Sequence, residues 1–314
     1  MEVKDAGRTT GGRKRNREDV AAMIDNAHPT HNPAQSNAAD RQDPDNIKGG
    51  SVYSASSTAN STGTLGKAIS VLDIIASTDQ PLRFKDLLAV STQPRGTLHR
   101  QLTNLIDEGL LEVAPDHSYR LGIRLLRFAV QAWDGNDLRN VAAPHIEQLH
   151  QATGETVHLG ILQDIEVVYL DKVDARQSVR MHSQIGKASP SYCTGVGKAA
   201  LSALPAAEAS ERIARMSFHP HTASTFVTAE SLEREVDDIR RSGISFDREE
   251  HEPGIHCVAA AVSAHDGNTV GGISVTAPSY RVPMGRLAGW SDLVSKTAQA
   301  ITKDLSLRMG PRRS

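Results

Sequence analysis

Large apolar residues are scarce before residue 63, and from Leu65 onward they recur with the spacing of a helix. The segment 1–62 is instead rich in Ser, Thr, Asn, Asp, Gly and Ala. Such a composition buries too little apolar surface to offset the entropy that the chain loses on ordering, so we predict a disordered tail. The basic stretch within it, residues 13–17, is either a solvated segment or an arm that adds non-specific affinity for phosphate.

The pattern after the tail predicts three helices and a hairpin. The apolar face of the first helix comprises Leu65, Ala68, Ile69, Leu72, Ile75 and Ala76. A second helix follows over residues 83–91, and a third begins at Pro94, where no backbone N–H is needed, and ends near Gly109. Two short strands around a turn fill residues 110–122. Three helices followed by a hairpin are typical of a winged helix-turn-helix, which we assign to residues 63–122.

The third predicted helix has two chemically different faces. Leucine and isoleucine recur on the inner face at positions 98, 102, 105 and 106. The outer face and its flanks hold the residues that we predict to contact DNA: Arg95, Gly96, Thr97, His99, Arg100 and Thr103. Arginine reaches guanine edges or phosphates, and Gly96, although it costs about 1 kcal/mol relative to Ala in a helix, would let a phosphate backbone approach closely. An ordinary solvated helix face is the alternative interpretation.

Residues 123–136 predict a connecting helix. Its apolar stripe comprises Leu125, Phe128, Ala129, Ala132 and Trp133. Because an exposed stripe on a linker usually finds a partner helix, we expect this helix to support dimerisation.

The next segment, residues 137–309, mixes helices and strands. Helices are predicted over 137–154, 194–204, 206–216, 230–242 and 283–309, and strands over 156–163, 166–174, 178–186, 257–262 and 269–276. Hairpin strands with helices between them predict an α+β domain with a mostly antiparallel sheet.

The distribution of charge bears on DNA binding only within the third predicted helix. Lys plus Arg number 35 and Asp plus Glu number 37, so no global positive charge indicates a nucleic-acid partner. Residues 65–124 carry seven basic and seven acidic side chains, but the two ends of the third helix differ. Arg95 and Arg100 lie near its start, whereas Asp107 and Glu108 lie at its end. Any DNA-binding face must therefore use the first half of that helix.

The amino-acid composition and the lengths of apolar runs argue against several other classes of protein. Aromatic residues make up only 4% of the chain, which argues against stacking platforms for single-stranded nucleic acid. Two cysteines, Cys193 and Cys257, fit a reducing compartment better than a disulfide framework. No run approaches the roughly 20 apolar residues that span a bilayer, and the N-terminus lacks the apolar core of a signal peptide, so we expect a cytoplasmic protein.

The segment CTGVGKAAL, residues 193–201, resembles a phosphate-binding loop only in part. A Walker A loop needs Gly where this chain has Tyr192, and Ser or Thr where it has Ala199, so we reject nucleotide hydrolysis. Such a turn either attracts an anion to the N–H groups of the helix that it starts or simply permits tight packing.

The densest polar cluster, FDREEHEPGIHC, spans residues 246–257. It contains carboxylates, histidines and a thiol, but their spacing matches no standard zinc signature, so we predict no metal site and favour a pocket rim or a solvated loop. His256 and Cys257 are neighbours on a strand and point to opposite faces, so they do not form a catalytic dyad. Farther on, Ser274 and Thr276 share one strand face, which is either solvated or part of a small pocket.

These motifs together resemble the IclR family of bacterial transcriptional regulators over residues 64–309. The likeness is carried by PRGTLHRQL, YRLG, DLRNVAAPHIEQL, TGETVHLGIL, VVYLDKVD, VRMHSQIGK, CTGVGKAALSALP, FDREEHEPGIHCVAAAV and GGISVTAP. The resemblance implies a winged-helix DNA-binding domain followed by a GAF-like α/β effector-binding domain. It also implies dimers, or dimers of dimers, on palindromic operators. We expect no cofactor.

The resemblance further implies a pocket for a small organic acid. Carried over by motif, its residues are Met181, Ser189, Gly195, Val196, Asp247, Ile255, Cys257, Ser274 and Thr276. Ser189 stands where some relatives have leucine, which changes the expected size and polarity of the ligand. Asp247 would repel a carboxylate but accept a hydrogen bond from a hydroxyl, so we expect hydroxylated acids. The stretch 178–198 is similar to family members that control sugar-acid catabolism.

Two other functions stay open at this point. The second domain could be an enzyme or a metal-dependent sensor, although the sequence contains no complete set of nucleophile, base and oxyanion donors. A non-specific nucleoid or scaffold protein would bind random DNA as tightly as the region upstream of its own gene. The ordered set of motifs favours a ligand-responsive regulator of a catabolic operon, for sugar acids or aromatic acids, and not an enzyme.

Overall fold

The computed structural model describes residues 63–309, except residue 79 and the segments 178–182 and 265–269. The predicted tail and its basic stretch therefore lie outside the described residues. The chain divides into two compact units, with the division between Ala129 and Val130. In the described part of the chain, no helix combines the length and the apolar character that crossing a membrane requires.

The first unit contains three helices and a two-stranded hairpin. They are α1 (Thr64–Ala76), α2 (Phe84–Val90), α3 (Arg95–Asp107), β1 (Leu111–Val113) and β2 (Tyr119–Leu121). β1 and β2 pair antiparallel, and the Tyr119 N–H also donates to the Leu82 carbonyl at 2.8 Å, which ties the hairpin to the segment before α2. This order of elements confirms the predicted winged helix-turn-helix.

The core of the first unit lies where its helices meet the hairpin. Leu98 and Leu102 are fully buried, so the predicted inner face of α3 is confirmed. The predicted face of α1 is partly wrong, because Val71 is fully buried whereas Leu65 and Ile69 are 76% and 44% exposed. The reason is tertiary: α1 packs against α3 and β2, and the side of the helix that meets them is the one that carries Val71.

Helix α4 (Ile123–Asp134) spans most of the predicted linker, and none of its residues is buried. Its exposed large apolar side chains are Ile123, Leu126, Phe128 and Val130. Two positions of the predicted stripe, Leu125 and Trp133, are half-buried. The helix therefore carries apolar surface that the described chain leaves open to solvent.

The second unit is an antiparallel sheet with helices on both sides. Its helices are α5 (Asp137–Thr153), α6 (Gly195–Ala203), α7 (Ala206–Ala214), α8 (Ala229–Ser242), α9 (Met284–Ala288) and α10 (Ser291–Met309). Its strands are β3 (Thr156–Gln163), β4 (Glu166–Val173), β5 (Ala188–Pro190), β6 (Ser245–Arg248), β7 (Ile255–Ser263) and β8 (Val270–Pro278). They form one sheet in the order β5-β4-β3-β8-β7-β6, and each neighbouring pair is antiparallel. The predicted α+β class is confirmed.

The two faces of this sheet bury different helices. α5 and α10 pack on one face, in a core that includes Ile273 and Val275 of β8. α6, α7 and α8 pack on the other face, where Val196 is buried. Because side chains alternate along a strand, Ser274 and Thr276 point toward the α6 face, so the prediction that they share one face is confirmed.

Three features of the second unit differ from the prediction. The predicted strand 178–186 lies partly outside the described residues, and its described part, residues 183–186, is not a strand, which forms instead at β5. β6 is an additional strand that the sequence did not predict. It lies at the edge of the sheet, next to β7, and its polar sequence SFDR lacks the apolar pattern of an inner strand. The predicted closing helix is interrupted at Gly289 and Trp290, between α9 and α10.

Candidate functional site

A cavity lies between the sheet of the second unit and the N-terminus of α6. Its volume is about 70 Å³, and it opens to solvent on one side. It is lined by eight of the nine residues predicted to hold an effector: Ser189, Gly195, Val196, Asp247, Ile255, Cys257, Ser274 and Thr276. The ninth, Met181, lies outside the described residues. The fold therefore assembles one cavity, whose lining includes several polar side chains, from segments that are far apart in the chain.

Two hydroxyls on β8 lie against a buried histidine on β3. Thr276 Oγ1 is 3.2 Å from His158 Nδ1, and Ser274 Oγ is 3.5 Å from the same nitrogen. On the other side of the ring, His158 Nε2 is 2.7 Å from the Ser183 hydroxyl. Burial, together with the Lys172 cation, lowers the pKa of His158 to about 3. The imidazole is therefore neutral and donates from only one of its two nitrogens.

A thiol and a carboxyl lie beside these hydroxyls. Cys257 Sγ is 3.0 Å from Thr276 Oγ1 and 3.9 Å from Asp247 Oδ2. Burial raises the pKa of the Cys257 thiol well above its usual value, so the thiol is not poised as a nucleophile. Burial, and then the negative charge of Glu250, raises the pKa of Asp247 to about 7. Near neutral pH this carboxyl can thus donate a hydrogen bond as well as accept one.

The N-terminus of α6 forms the opposite wall of the cavity. Its N-cap residue Thr194 accepts a hydrogen bond from the Gly197 N–H at 3.2 Å. A Cβ on Gly197 would lie 2.4 Å from the Cα of Ser191, so only glycine fits at that position. Gly195 and Val196 line the cavity from the first turn, where N–H groups have no partner within the helix. Such a helix end favours an anion.

Lys198 has an environment unlike that of a phosphate-loop lysine. It is fully buried, and its Nζ lies 2.5 Å from a carboxylate oxygen of Glu250 and 3.2 Å from one of Glu235. The same ammonium lies 4.8 Å from the centre of the Phe226 ring. Removing either member of a buried ion pair leaves an uncompensated charge, so this pair anchors α6 to the segment after β6. It thereby holds the cavity wall in place.

Seven further residues line the cavity and were not predicted from the sequence: His158, Tyr169, Ser183, Lys187, Thr194, His251 and Glu252. His158 carried a usable signal, because it interrupts the otherwise apolar run at the start of β3. Lys187 and His251 lie in connecting segments without periodicity, so only the fold brings them to the cavity.

The polar cluster 246–257 divides between the cavity and its surroundings. Asp247 and Cys257 line the cavity, whereas His256 Nε2 lies 3.5 Å from the Glu249 carboxylate. The two neighbours His256 and Cys257 thus have separate environments, as the alternation of a strand requires. A nucleophile–base pair between them is not formed.

In the first unit, α3 presents the residues predicted to contact DNA. Arg95, Gly96 and Arg100 are exposed, and Thr97, His99 and Thr103 are half-buried. The Arg95 guanidinium lies 5.3 Å from the centre of the Phe84 ring, a cation–π contact that positions this side chain against α2. A Cβ on Gly96 would meet no atom within 4 Å, so the chain itself has room for a larger residue there.

Several acidic groups of the first unit are paired away from the start of α3. Glu112 forms an ion pair with Arg120 at 2.8 Å across the hairpin, and Glu108 forms one with Arg124 at 2.5 Å. The first turn of α3 contains no acidic residue. Along α3 itself, arginines therefore lie near the start and carboxylates at the end, although the charge count of the first unit is balanced.

Known protein families match both units. The IclR helix-turn-helix domain matches residues 64–115, and the family described as bacterial transcriptional regulator IclR C-terminal matches residues 130–303. The HTH-type transcriptional regulator XynR of Escherichia coli (strain K12) is 28% identical over 240 residues, which cover 76% of this chain and 95% of XynR.

Solved structures share the fold. The crystal structure of the Thermotoga maritima IclR has a TM-score of 0.59 and 28% identity, and the match covers 77% of this chain and 98% of that one. An IclR homolog from Microbacterium hydrocarbonoxydans, complexed with 4-hydroxybenzoate, has a TM-score of 0.64 and 22% identity, covering 79% of this chain and 100% of that one. At the second identity the likeness shows the fold alone. The matched families and the relative XynR are transcriptional regulators, not enzymes.

Proposed function

The chain belongs to the IclR family of bacterial transcriptional regulators, and we propose that it binds a specific DNA operator under the control of a small organic acid. The observation that carries this proposal is the cavity of the second unit, where eight expected residues surround one space beside a helix N-terminus. The proposal assigns DNA binding to residues 63–122 and effector binding to residues 137–309, with residues 123–136 as the linker.

The start of α3 supports the DNA-binding half of the proposal. Arg95 and Arg100 are charged residues at the exposed end of this helix, and the first turn is free of carboxylates. In winged-helix proteins the corresponding helix enters the major groove, where arginine contacts guanine edges or phosphates. The hairpin of β1 and β2 would then touch the flanking backbone, and Thr97, His99 and Thr103 would complete the contact surface around Gly96.

The apolar side of α4 supports an oligomeric regulator. Ile123, Leu126 and Phe128 are 65%, 58% and 53% exposed, which is unusual for three large apolar side chains on one helix. A second copy of the chain would cover them, and a twofold dimer reads two equal half-sites. The proposed state is a homodimer, or a dimer of dimers, on a palindromic operator in the cytoplasm.

The chemistry of the cavity favours a hydroxylated carboxylic acid as the effector. The N–H groups of Gly195 and Val196 and the ammonium of Lys187 suit a carboxylate. The Ser274 hydroxyl and the Asp247 carboxyl suit ligand hydroxyls. Sugar acids and aromatic hydroxy acids belong to this class, as does the 4-hydroxybenzoate bound to the solved homolog. The target would be a catabolic operon for such an acid.

A gel-shift titration tests the operator half of the proposal. The full chain is titrated against the DNA upstream of its own gene and against random DNA of equal length. Specific recognition predicts an affinity for the upstream DNA that is at least about 10³-fold higher. Equal affinities for the two DNAs would contradict operator recognition and would indicate a non-specific DNA-binding protein.

A thermal-shift screen tests the effector half. The protein is heated with sugar acids, with 4-hydroxybenzoate, and with non-acidic sugars of similar size. A ligand present at 100 times its Kd stabilises the fold by about 2.7 kcal/mol, which is easily measured as a rise in Tm. Stabilisation by the neutral compounds alone would overturn the assignment of an acid effector.

A further inference from the structure

Three side chains of types that can bind metals lie close together beside the cavity, although they are far apart in the sequence. Cys193 ends the short turn before α6, His221 follows α7, and His251 follows β6. One ligand atom from each of them lies within 4.8 Å of the other two. Zinc bonds of about 2.0–2.3 Å place tetrahedral ligands roughly 3.3–3.6 Å apart, so a side-chain adjustment of about 1 Å closes this set around an ion.

The segments that carry these ligands are joined by hydrogen bonds. Thr222 Oγ1 donates to the Glu249 carbonyl at 2.6 Å, and Thr225 Oγ1 donates to the Glu250 carbonyl at 2.6 Å. The rings of His221 and His251 consequently lie with their centres 5.1 Å apart. These contacts keep the segment after α7 against the segment after β6 without any metal.

Tyr192 orients one of the ligands. Its hydroxyl lies 3.2 Å from His221 Nε2, and the same oxygen accepts a hydrogen bond from the His219 N–H at 2.9 Å. Metal-bound histidines commonly have such a partner on one ring nitrogen, which fixes the orientation of the imidazole. The side chain next to Cys193 in the sequence therefore holds His221 at the cluster.

A thiol and two imidazoles define the class of ion. Calcium and magnesium prefer oxygen ligands, whereas zinc and similar borderline transition ions prefer sulfur and nitrogen. We propose that Cys193, His221 and His251 form a binding site for a zinc-class divalent ion. The sequence predicted no metal site, because no local spacing links these three residues.

The proposed metal site borders the effector cavity. His251 also lines the cavity, so a bound ion would lie at the cavity edge, and three protein ligands leave one tetrahedral position open. A ligand carboxylate can occupy that position. This step rests on the proposed acid effector, whereas metal binding itself does not.

Metal alone tests the site. The purified full chain, treated with a chelator and dialysed, is titrated with Zn²⁺ by calorimetry and with Co²⁺ by absorption spectroscopy. We expect one high-affinity ion per chain and the charge-transfer absorption of a thiolate bound to Co²⁺. Cys193→Ser should abolish this absorption, and His221→Ala should weaken Zn²⁺ binding by more than the about 10–100-fold that the loss of an outer partner costs. His221 is exposed, so its replacement spares the core.

Two matched variants make the assignment specific. Cys257→Ser should keep the Co²⁺ charge-transfer absorption, since Cys257 is the other cysteine of the chain but is not in the cluster. His219→Ala should keep Zn²⁺ affinity, since this histidine precedes His221 by two residues and also lies outside the cluster. Circular dichroism checks that each variant is folded. No stoichiometric binding by the wild type, or equal affinity in wild type and Cys193→Ser, would overturn the site while leaving the proposed DNA and acid binding untouched.

Discussion

Asp247 accepts a hydrogen bond from the Glu250 N–H at 2.7 Å, yet burial and the charge of Glu250 raise the pKa of the Asp247 carboxyl from 3.8 to about 7. Because the folded pKa exceeds the unfolded value, the folded chain takes up a proton between these two pH values. The contribution of this proton to stability is therefore complete below about 3.8 and is lost as the pH rises through about 7. We therefore expect the stability of the second unit to fall as the pH rises from about 3.8 to about 7.

Replacing this carboxyl should remove that dependence. We expect Asp247→Asn to keep a nearly constant stability where the wild type loses stability, so the variant gains relative to wild type as the pH rises from about 3.8 to about 7. The check is the free energy of unfolding in urea, measured at several pH values for both proteins. Parallel pH profiles of the two proteins would show that Asp247 does not titrate in this range.

Ser274→Ala should lower the affinity for the effector without changing the affinity for DNA. The Ser274 hydroxyl is buried and lies 3.3 Å from Thr276 Oγ1, where it can also bond a ligand hydroxyl. One net hydrogen bond contributes about 0.5–1.5 kcal/mol, so the affinity for the acid found by thermal shift should fall roughly 2- to 12-fold. Ser202→Ala is the matched control, because its hydroxyl donates to the Ala199 carbonyl at 2.7 Å and Ser202 does not line the cavity. Equal effector affinity in the wild type and Ser274→Ala would exclude Ser274 from the binding site.

Gly96→Ala should raise the stability of the first unit while lowering its affinity for DNA. A Cβ at this exposed helical position meets no atom of the chain, so alanine should stabilise the first unit by about 0.5–1 kcal/mol through helix propensity. If Gly96 serves close approach of a phosphate, the same change should weaken DNA binding. Thermal unfolding and a gel shift on the same protein test both effects. A variant that is more stable and binds DNA normally would contradict the role of this glycine.

Arg100→Ala should reduce operator affinity by about 1–3 kcal/mol if this arginine contacts a base, and discrimination against random DNA should fall with it. If Arg100 instead contacts a phosphate, its replacement should weaken binding to operator and random DNA equally and should reduce the salt dependence of binding. Arg127→Ala on α4 removes an exposed arginine outside the predicted surface and serves as the control. Equal losses in the two variants would indicate a general charge effect.

Leu126→Glu should weaken self-association. Leu126 is 58% exposed on α4, beside Ile123, and a carboxylate there would have to be buried in the proposed dimer. Sedimentation velocity over a concentration series should show a larger share of monomer for this variant. Arg127→Glu changes charge at the neighbouring position and should associate more like the wild type. An unchanged oligomer in Leu126→Glu would place the interface elsewhere.

Local periodicity in the sequence by itself determined which faces of several helices and strands are buried. The buried row of α3, with Leu98 and Leu102, follows from helical spacing, and the shared face of Ser274 and Thr276 follows from strand alternation. Both patterns depend on residues that are close in the chain, so they can be predicted before any packing is known. The order of the elements then indicated the winged helix and the antiparallel sheet.

Tertiary packing alone decided the rest. The side of α1 that is buried, the edge strand β6 and the burial of Lys198 against Glu250 depend on partners that are distant in sequence. The same holds for Cys193, His221 and His251, which lie close together on three segments that are distant in sequence, two of which are joined by threonine hydrogen bonds. A sequence records the spacing of neighbours along the chain, whereas a site made from three separate segments exists only in the packed fold.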